Sequence, residues 1–106
     1  MDTKQAIKDA VSLMNEAFAD EPDLNGCKVE TGAATKIVGV DLGDNAVMIL
    51  DWFIIDRGNG TQLANCNAVF LNRGGQYTRI FVEGWDTSDR DEDELVQFDL
   101  IHDGGS

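Results

Sequence analysis

The spacing of apolar residues changes once along this chain, from a helical period to an alternating one. Between Thr3 and Ala19, the residues Ile7, Ala10, Val11, Met14, Ala17 and Phe18 recur at i, i+3, i+4 and i+7, which predicts an amphipathic helix. Asp2 is placed to cap its start, with Gln5 three residues on as the reciprocal partner. The stretch "DEPDLNG" then ends it, because Pro22 has no amide hydrogen to donate and Asn25-Gly26 favours a turn.

Beyond that point the period falls to two. "CKVETG" is a short strand candidate, and longer ones follow at 35–42, 46–56, 62–72 and 77–85. Glycines at 57–60 and 73–76 supply the tight turns that join adjacent antiparallel strands, whereas parallel pairs need long crossovers. Segment 94–102 carries two signals. Its acidic start and its His102 and Gly104 resemble helix punctuation, but Val96, Phe98 and Leu100 alternate with Gln97 and Asp99, which predicts a strand. The expected architecture is α+β: one domain over 1–106, with an N-terminal helix on a four- to five-stranded antiparallel, meander-like sheet. The closing "DGGS" is expected to fray.

Alternation also assigns faces. Ala64, Cys66, Ala68, Ile80 and Val82 suit close contact with the helix, and Leu50, Trp52 and Ile54 join them if the strand at 46–56 keeps that parity. The opposite face then collects Asp51, Phe53, Asn65, Asn67, Tyr77, Arg79, Phe81, Glu83 and Trp85. Aromatics, amides and opposite charges mixed in this way compose an interface or a ligand cleft. They also compose an ordinary solvated sheet face, stabilised by cross-strand pairs. Asp51 interrupts "MILDWFII", where burial would cost it hydration; pairing with Arg79 or hydrogen bonds from Asn65 or Asn67 would compensate.

Charge narrows the function. Twenty acids oppose eight bases, a net charge of −12, and the excess is uneven. Residues 86–106 carry eight acids and one arginine, against seven acids and four lysines in residues 1–36. Such a field repels nucleic acid and anionic lipid and attracts cations and basic proteins. The densest part is "DTSDRDEDE", where Asp86, Asp89, Asp91, Glu92, Asp93 and Glu94 occupy six of nine positions. Fully extended, nine residues span about 30 Å at roughly 3.3 Å each. That spacing of acids, about 5 Å, is of the same order as the ~3.4 Å per charge along a nucleic-acid strand. The segment therefore reads as a solvated loop or as a surface for a basic partner. It does not read as a calcium loop: counted from Asp89, the glycine position holds Glu94 and the final glutamate position holds Leu100, and counted from Asp86 the fifth position is Arg90.

Other chemistry is sparse. There is one histidine, and no HExxH, phosphate-binding loop, GxGxxG or paired CxxC, so the sequence predicts neither an enzyme, a cofactor nor a metal site. The start "MDTKQAIKDA" has no apolar run of the kind an export signal carries, and no segment approaches a membrane span. With that, Cys27 and Cys66 are expected as reduced, buried thiols in a cytoplasmic protein. The leading expectation is a small acidic binding protein that occupies a basic surface of another protein. Its concrete form is an inhibitor mimicking nucleic acid, such as a phage counter-defence protein or a nuclease immunity partner. Its contacts would be the six acids of 86–94 with Tyr77, Arg79, Phe81 and Trp85. The second expectation is a small-ligand binder or small enzyme built on Asp51, Asn65, Asn67 and Glu83. The mixed face is also a candidate for pairing two copies into a homodimer.

Overall fold

The computed structural model describes residues 3–40, 47–74 and 76–101. The α+β fold expected from the sequence is present, with six antiparallel strands among the described residues where four or five were expected. Helix α1 (Thr3–Ala19) is followed by β1 (Lys28–Glu30), β2 (Lys36–Val40), β3 (Val47–Asp56), β4 (Gln62–Arg73), β5 (Gln76–Asp86) and β6 (Glu94–Ile101). The ambiguous C-terminal segment is a strand. The expected N-cap Asp2, the histidine His102, the acids Asp41, Asp44 and Asp103, and the closing glycines lie outside the described residues.

The longest strands, β3 to β6, form a meander in sequence order. The short strands β1 and β2 both pair with the same edge of β3, one after the other: β1 against Ile54–Asp56 and β2 against Val47–Asp51. The extra strand is thus half of an edge that the sequence presents as two fragments. Between the fragments, the Thr35 hydroxyl donates to the Trp52 carbonyl at 2.8 Å and accepts from the Gly32 amide at 2.9 Å. The helix adds its own tie, because Asn15 Oδ1 accepts the Val29 amide of β1 at 3.0 Å.

Ala10, Met14, Ala17 and Phe18 bury the apolar stripe of α1 against one face of the sheet, the inner face. Their partners include Leu50, Phe53 and Ile55 of β3, Leu63, Cys66, Ala68 and Phe70 of β4, Ile80 and Val82 of β5, and Leu100 of β6. Phe18 meets Phe98 of β6 edge to face, with ring centroids 5.4 Å apart. No polar or charged residue is buried among the described residues.

Strict alternation fails at three places, and each failure is an irregularity in the strand pairing. On β3, Leu50 is inside and so are Phe53 and Ile55, while Trp52 and Ile54 are 51% and 39% exposed. Phe53, expected outside, is therefore core, and Trp52 and Ile54, expected in the core, lie outside. The cause is an extra residue at Trp52, with φ 63°, between the pairs Asp51↔Asn67 and Phe53↔Cys66. On β4 the extra residue is Asn65, with φ 50°, which brings Leu63 rather than Ala64 to the core. A bulge puts two consecutive side chains on one face and restores alternation beyond it. On β5 the pairing skips Thr78 between Leu71↔Arg79 and Asn72↔Tyr77, which turns Tyr77 inward. There its ring lies 5.8 Å from Phe70 and its hydroxyl donates to Met48 Sδ at 3.8 Å.

Candidate functional site

Antiparallel register fixes which side chains share the outer face, the one turned away from α1. One row crosses the sheet as Lys36, Asp51, Asn67, Glu83 and Gln97; the next crosses as Val38, Ile49, Val69, Phe81 and Asp99. Arg79 and Ile101 form a pair below them, and Trp85 and Leu95 a pair above. Of the expected contact residues, Arg79, Phe81 and Trp85 are on this face and Tyr77 is not. Leu95 and Trp52, which the sequence did not single out for recognition, are exposed there with them.

The row of Asp51 is internally satisfied at one end. Asn67 Nδ2 donates to Glu83 Oε1 at 3.2 Å, and Gln97 Nε2 donates to Glu83 Oε2 at 3.3 Å. Arg79 does not reach Asp51. It forks onto Asp99, Nε to Oδ1 at 2.9 Å and Nη2 to Oδ2 at 2.6 Å, with its guanidinium carbon 4.9 Å from the centroid of the Phe81 ring. The hydrogen bond from Arg79 holds the Asp99 carboxyl below the usual carboxylate range, and the same contact raises the guanidinium. Asp51 itself is half-exposed and makes no side-chain hydrogen bond or ion pair within the described part of the molecule.

Around Asp51 the paired bulges of β3 and β4 open a cleft of about 350 Å³, lined by Asp51, Trp52, Asn65, Cys66, Asn67 and Trp85. The bulges push Asp51 and Trp52 together onto the outer face, and Ala64 and Asn65 likewise. Trp85 is the register partner of the small Ala64. Cys66 closes the floor. Its thiol donates to the Leu63 carbonyl at 3.2 Å, and burial raises its pKa to about 11, so it is not a nucleophile at neutral pH. Gly84 permits this floor, because a Cβ there would lie 2.5 Å from Cys66 Sγ and 3.0 Å from Leu63 Cβ. Both cysteines are free and buried, as expected from the sequence, and burial raises the Cys27 thiol as well. Of the four residues the sequence offered for a ligand, Asp51, Asn65 and Asn67 line this cleft and Glu83 does not. Asn65 also carried a signal of the bulge, since asparagine tolerates positive φ better than other non-glycine residues. Trp52 carried none.

The acidic segment departs from its expected shape. Asp86 and Glu94 are register partners at the ends of β5 and β6, so the chain between them reverses instead of extending. Two local turns tighten it. Asp86 Oδ1 accepts from the Ser88 amide at 3.0 Å and hydroxyl at 2.7 Å, and Asp89 Oδ1 accepts from the Asp91 amide at 3.0 Å. Arg57, from the β3–β4 turn, reaches Asp86 at 3.6 Å. Asp86 is thus a staple of the turn, and the Ser88 hydrogen bonds chiefly hold its carboxyl below the ordinary range. The remaining acids, Asp89, Asp91, Glu92, Asp93 and Glu94, are exposed around the tip. Together they form a compact acidic knob in place of an extended row. No three His, Cys, Asp or Glu side chains among the described residues are grouped so as to hold a metal ion, and no helix there is long and apolar enough to cross a membrane.

The knob and the cleft are continuous. Leu95 follows the last acid of the knob, and its register partner is Trp85, which lines the cleft. No protein-family model, curated protein or solved structure matches this chain.

Proposed function

We propose that this chain is a non-enzymatic, cytoplasmic binding protein that docks on a basic surface of another protein. One observation carries the reading. The exposed aromatic and aliphatic side chains Trp52, Phe81, Trp85 and Leu95 gather on one face of the sheet, beside a turn whose five exposed acids point to solvent. Protein interfaces are built with aromatic anchors at the centre and a charged rim. The acids of the rim select a positive partner and speed its approach, and the aromatics hold it. A surface of the kind that grips nucleic acid is such a partner, and occupying it makes the chain an inhibitor.

The test changes Asp89, Asp91, Asp93 and Glu94 to their amides. Exposed charges of this kind move stability by no more than about 0.5 kcal/mol, so the fold is retained. A partner captured by the wild-type chain from an extract of the cells that express it should bind this variant with a slower on-rate and a weaker dependence on salt. Equal on-rates for the two chains would reduce the knob to a solvated turn.

A further inference from the structure

Two aromatic–carboxylate clusters lie on the outer face, and one of them already holds a cation. In the first, the Phe81 ring and the Asp99 carboxylate hold the chain's own Arg79, with the guanidinium over the ring and a two-pronged hydrogen bond to the acid. In the second, Trp52, Trp85 and Asp51 line a cleft of about 350 Å³ that no side chain of the described residues occupies. Lys36 stands opposite Asp51 in register but forms no ion pair with it. Resting on the docking reading above, we propose that this cleft is the socket for an arginine side chain of the basic partner.

The lining fits a guanidinium group by group. Arginine has donors only, in a planar fork, and its weakly hydrated face stacks on aromatic rings. The cleft offers acceptors and ring faces. Asp51 supplies a carboxylate with no partner among the described residues. Asn67 commits its amide nitrogen to Glu83, which leaves its side-chain carbonyl oxygen as an acceptor, and Asn65 brings a second such oxygen. The two indoles supply the π surfaces that attract a cation. A lysine ammonium would satisfy the carboxylate but not the planar stack. A quaternary ammonium would satisfy the rings but could donate nothing to Asp51. The net charge of −12 and the acidic knob next to the cleft bring a cationic segment to it.

Trp52 and Trp85 are the two tryptophans of the chain, so both indole N–H signals report on the cleft. The experiment follows them by nitrogen–proton correlation NMR in the full chain at physiological salt. The titrants are capped glycine peptides with one central arginine, citrulline, lysine or trimethyl-lysine. Both indole signals should move and saturate with the arginine peptide. Citrulline, the uncharged isostere, should leave them in place, and lysine should bind several-fold more weakly. Asp51→Asn should weaken arginine binding by about tenfold, in line with the loss of a charged hydrogen-bond partner. Trp85→Ala should abolish the response of the remaining indole. Still indoles with arginine, an equal response to citrulline, or tighter binding of trimethyl-lysine would each overturn the assignment. The amide variant of the knob separates this proposal from the one beneath it. If it slows association with the captured partner while the arginine peptide leaves the indoles unmoved, the docking reading stands and the socket falls. If the arginine peptide binds in the cleft but the knob variant associates at the wild-type rate, the socket stands and the knob's part in docking falls.

Discussion

The cluster at Phe81 and the cluster at Trp52 use the same materials to different ends. Around Phe81 the strands alternate regularly, the side chains stand in register, and Arg79 falls naturally between ring and carboxylate. Around Trp52 the alternation is broken twice, on β3 and again on β4, and no cation of the described residues pairs with Asp51. Regular pairing on an exposed sheet face is self-satisfying, because cross-strand neighbours neutralise each other. Bulges interrupt that neutralisation. They turn consecutive side chains to one side and leave polar groups unanswered, at the cost of holding two non-glycine residues at positive φ.

The bulge on β3 sets two adjacent residues apart. Phe53 is 2% exposed and Trp52 is 51% exposed, although simple alternation would reverse them. Phe53→Ala should destabilise by about 3–5 kcal/mol, as large-to-small changes of buried aromatics do. Trp52→Ala should cost about 1 kcal/mol or less, because its ring is already in water by half. Denaturant unfolding of the two variants checks this, and the opposite order would erase the bulge.

Gly84→Ala comes next. The added methyl group would press on Cys66 and Leu63 beneath the cleft, and overpacking of this kind costs about 1–3 kcal/mol. The variant should also disturb the indole signals, since Cys66 forms the floor; a stable variant with unchanged signals would separate floor from cleft.

A smaller effect follows from the thiol itself. Burial raises Cys66 from 9.0 to about 11, so the folded chain keeps a proton that the unfolded chain releases. The stability this thiol contributes is complete below pH about 9 and is lost as the pH rises through about 11. The urea midpoint should therefore fall more between about pH 8 and pH 10.5 for the wild type than for Cys66→Ala. Equal slopes would mean that the thiolate is solvated in the native state.

The filled cluster can be emptied. Arg79→Met removes the guanidinium from Phe81 and Asp99 while keeping a stem of similar reach, and the contact is exposed, so thermal stability should change little. Asp99 should return toward the ordinary carboxylate range, which carbon NMR of its carboxyl reads directly. An Asp99 that still titrates low would point to a cause other than Arg79.

Much of the fold was legible in the sequence, because it depends on periodicity. The apolar stripe from Ile7 to Phe18 places the helix, and the alternation of Val96, Phe98 and Leu100 identifies the last strand against its helix-like ends. The site was less legible. Periodicity carries no sign of an extra residue, so the faces of Trp52, Phe53, Ile54, Ala64 and Tyr77 came out reversed. The shape of the acidic segment was hidden for another reason: charge density implies extension only when the ends are free, and here Asp86 and Glu94 are paired. Asp86 accordingly belongs to the turn, and Trp52 to the surface.

Charged quenchers of tryptophan fluorescence test most directly whether the bulged face is an open aromatic cleft in a field of acids. Trp52 and Trp85 are 51% and 40% exposed, and Asp51 and the knob surround them with negative charge. Caesium should quench both indoles far more strongly than iodide at low salt, and added sodium chloride should narrow the difference. Indoles reached equally by the two ions, or by neither, would contradict an exposed, cation-selecting cleft.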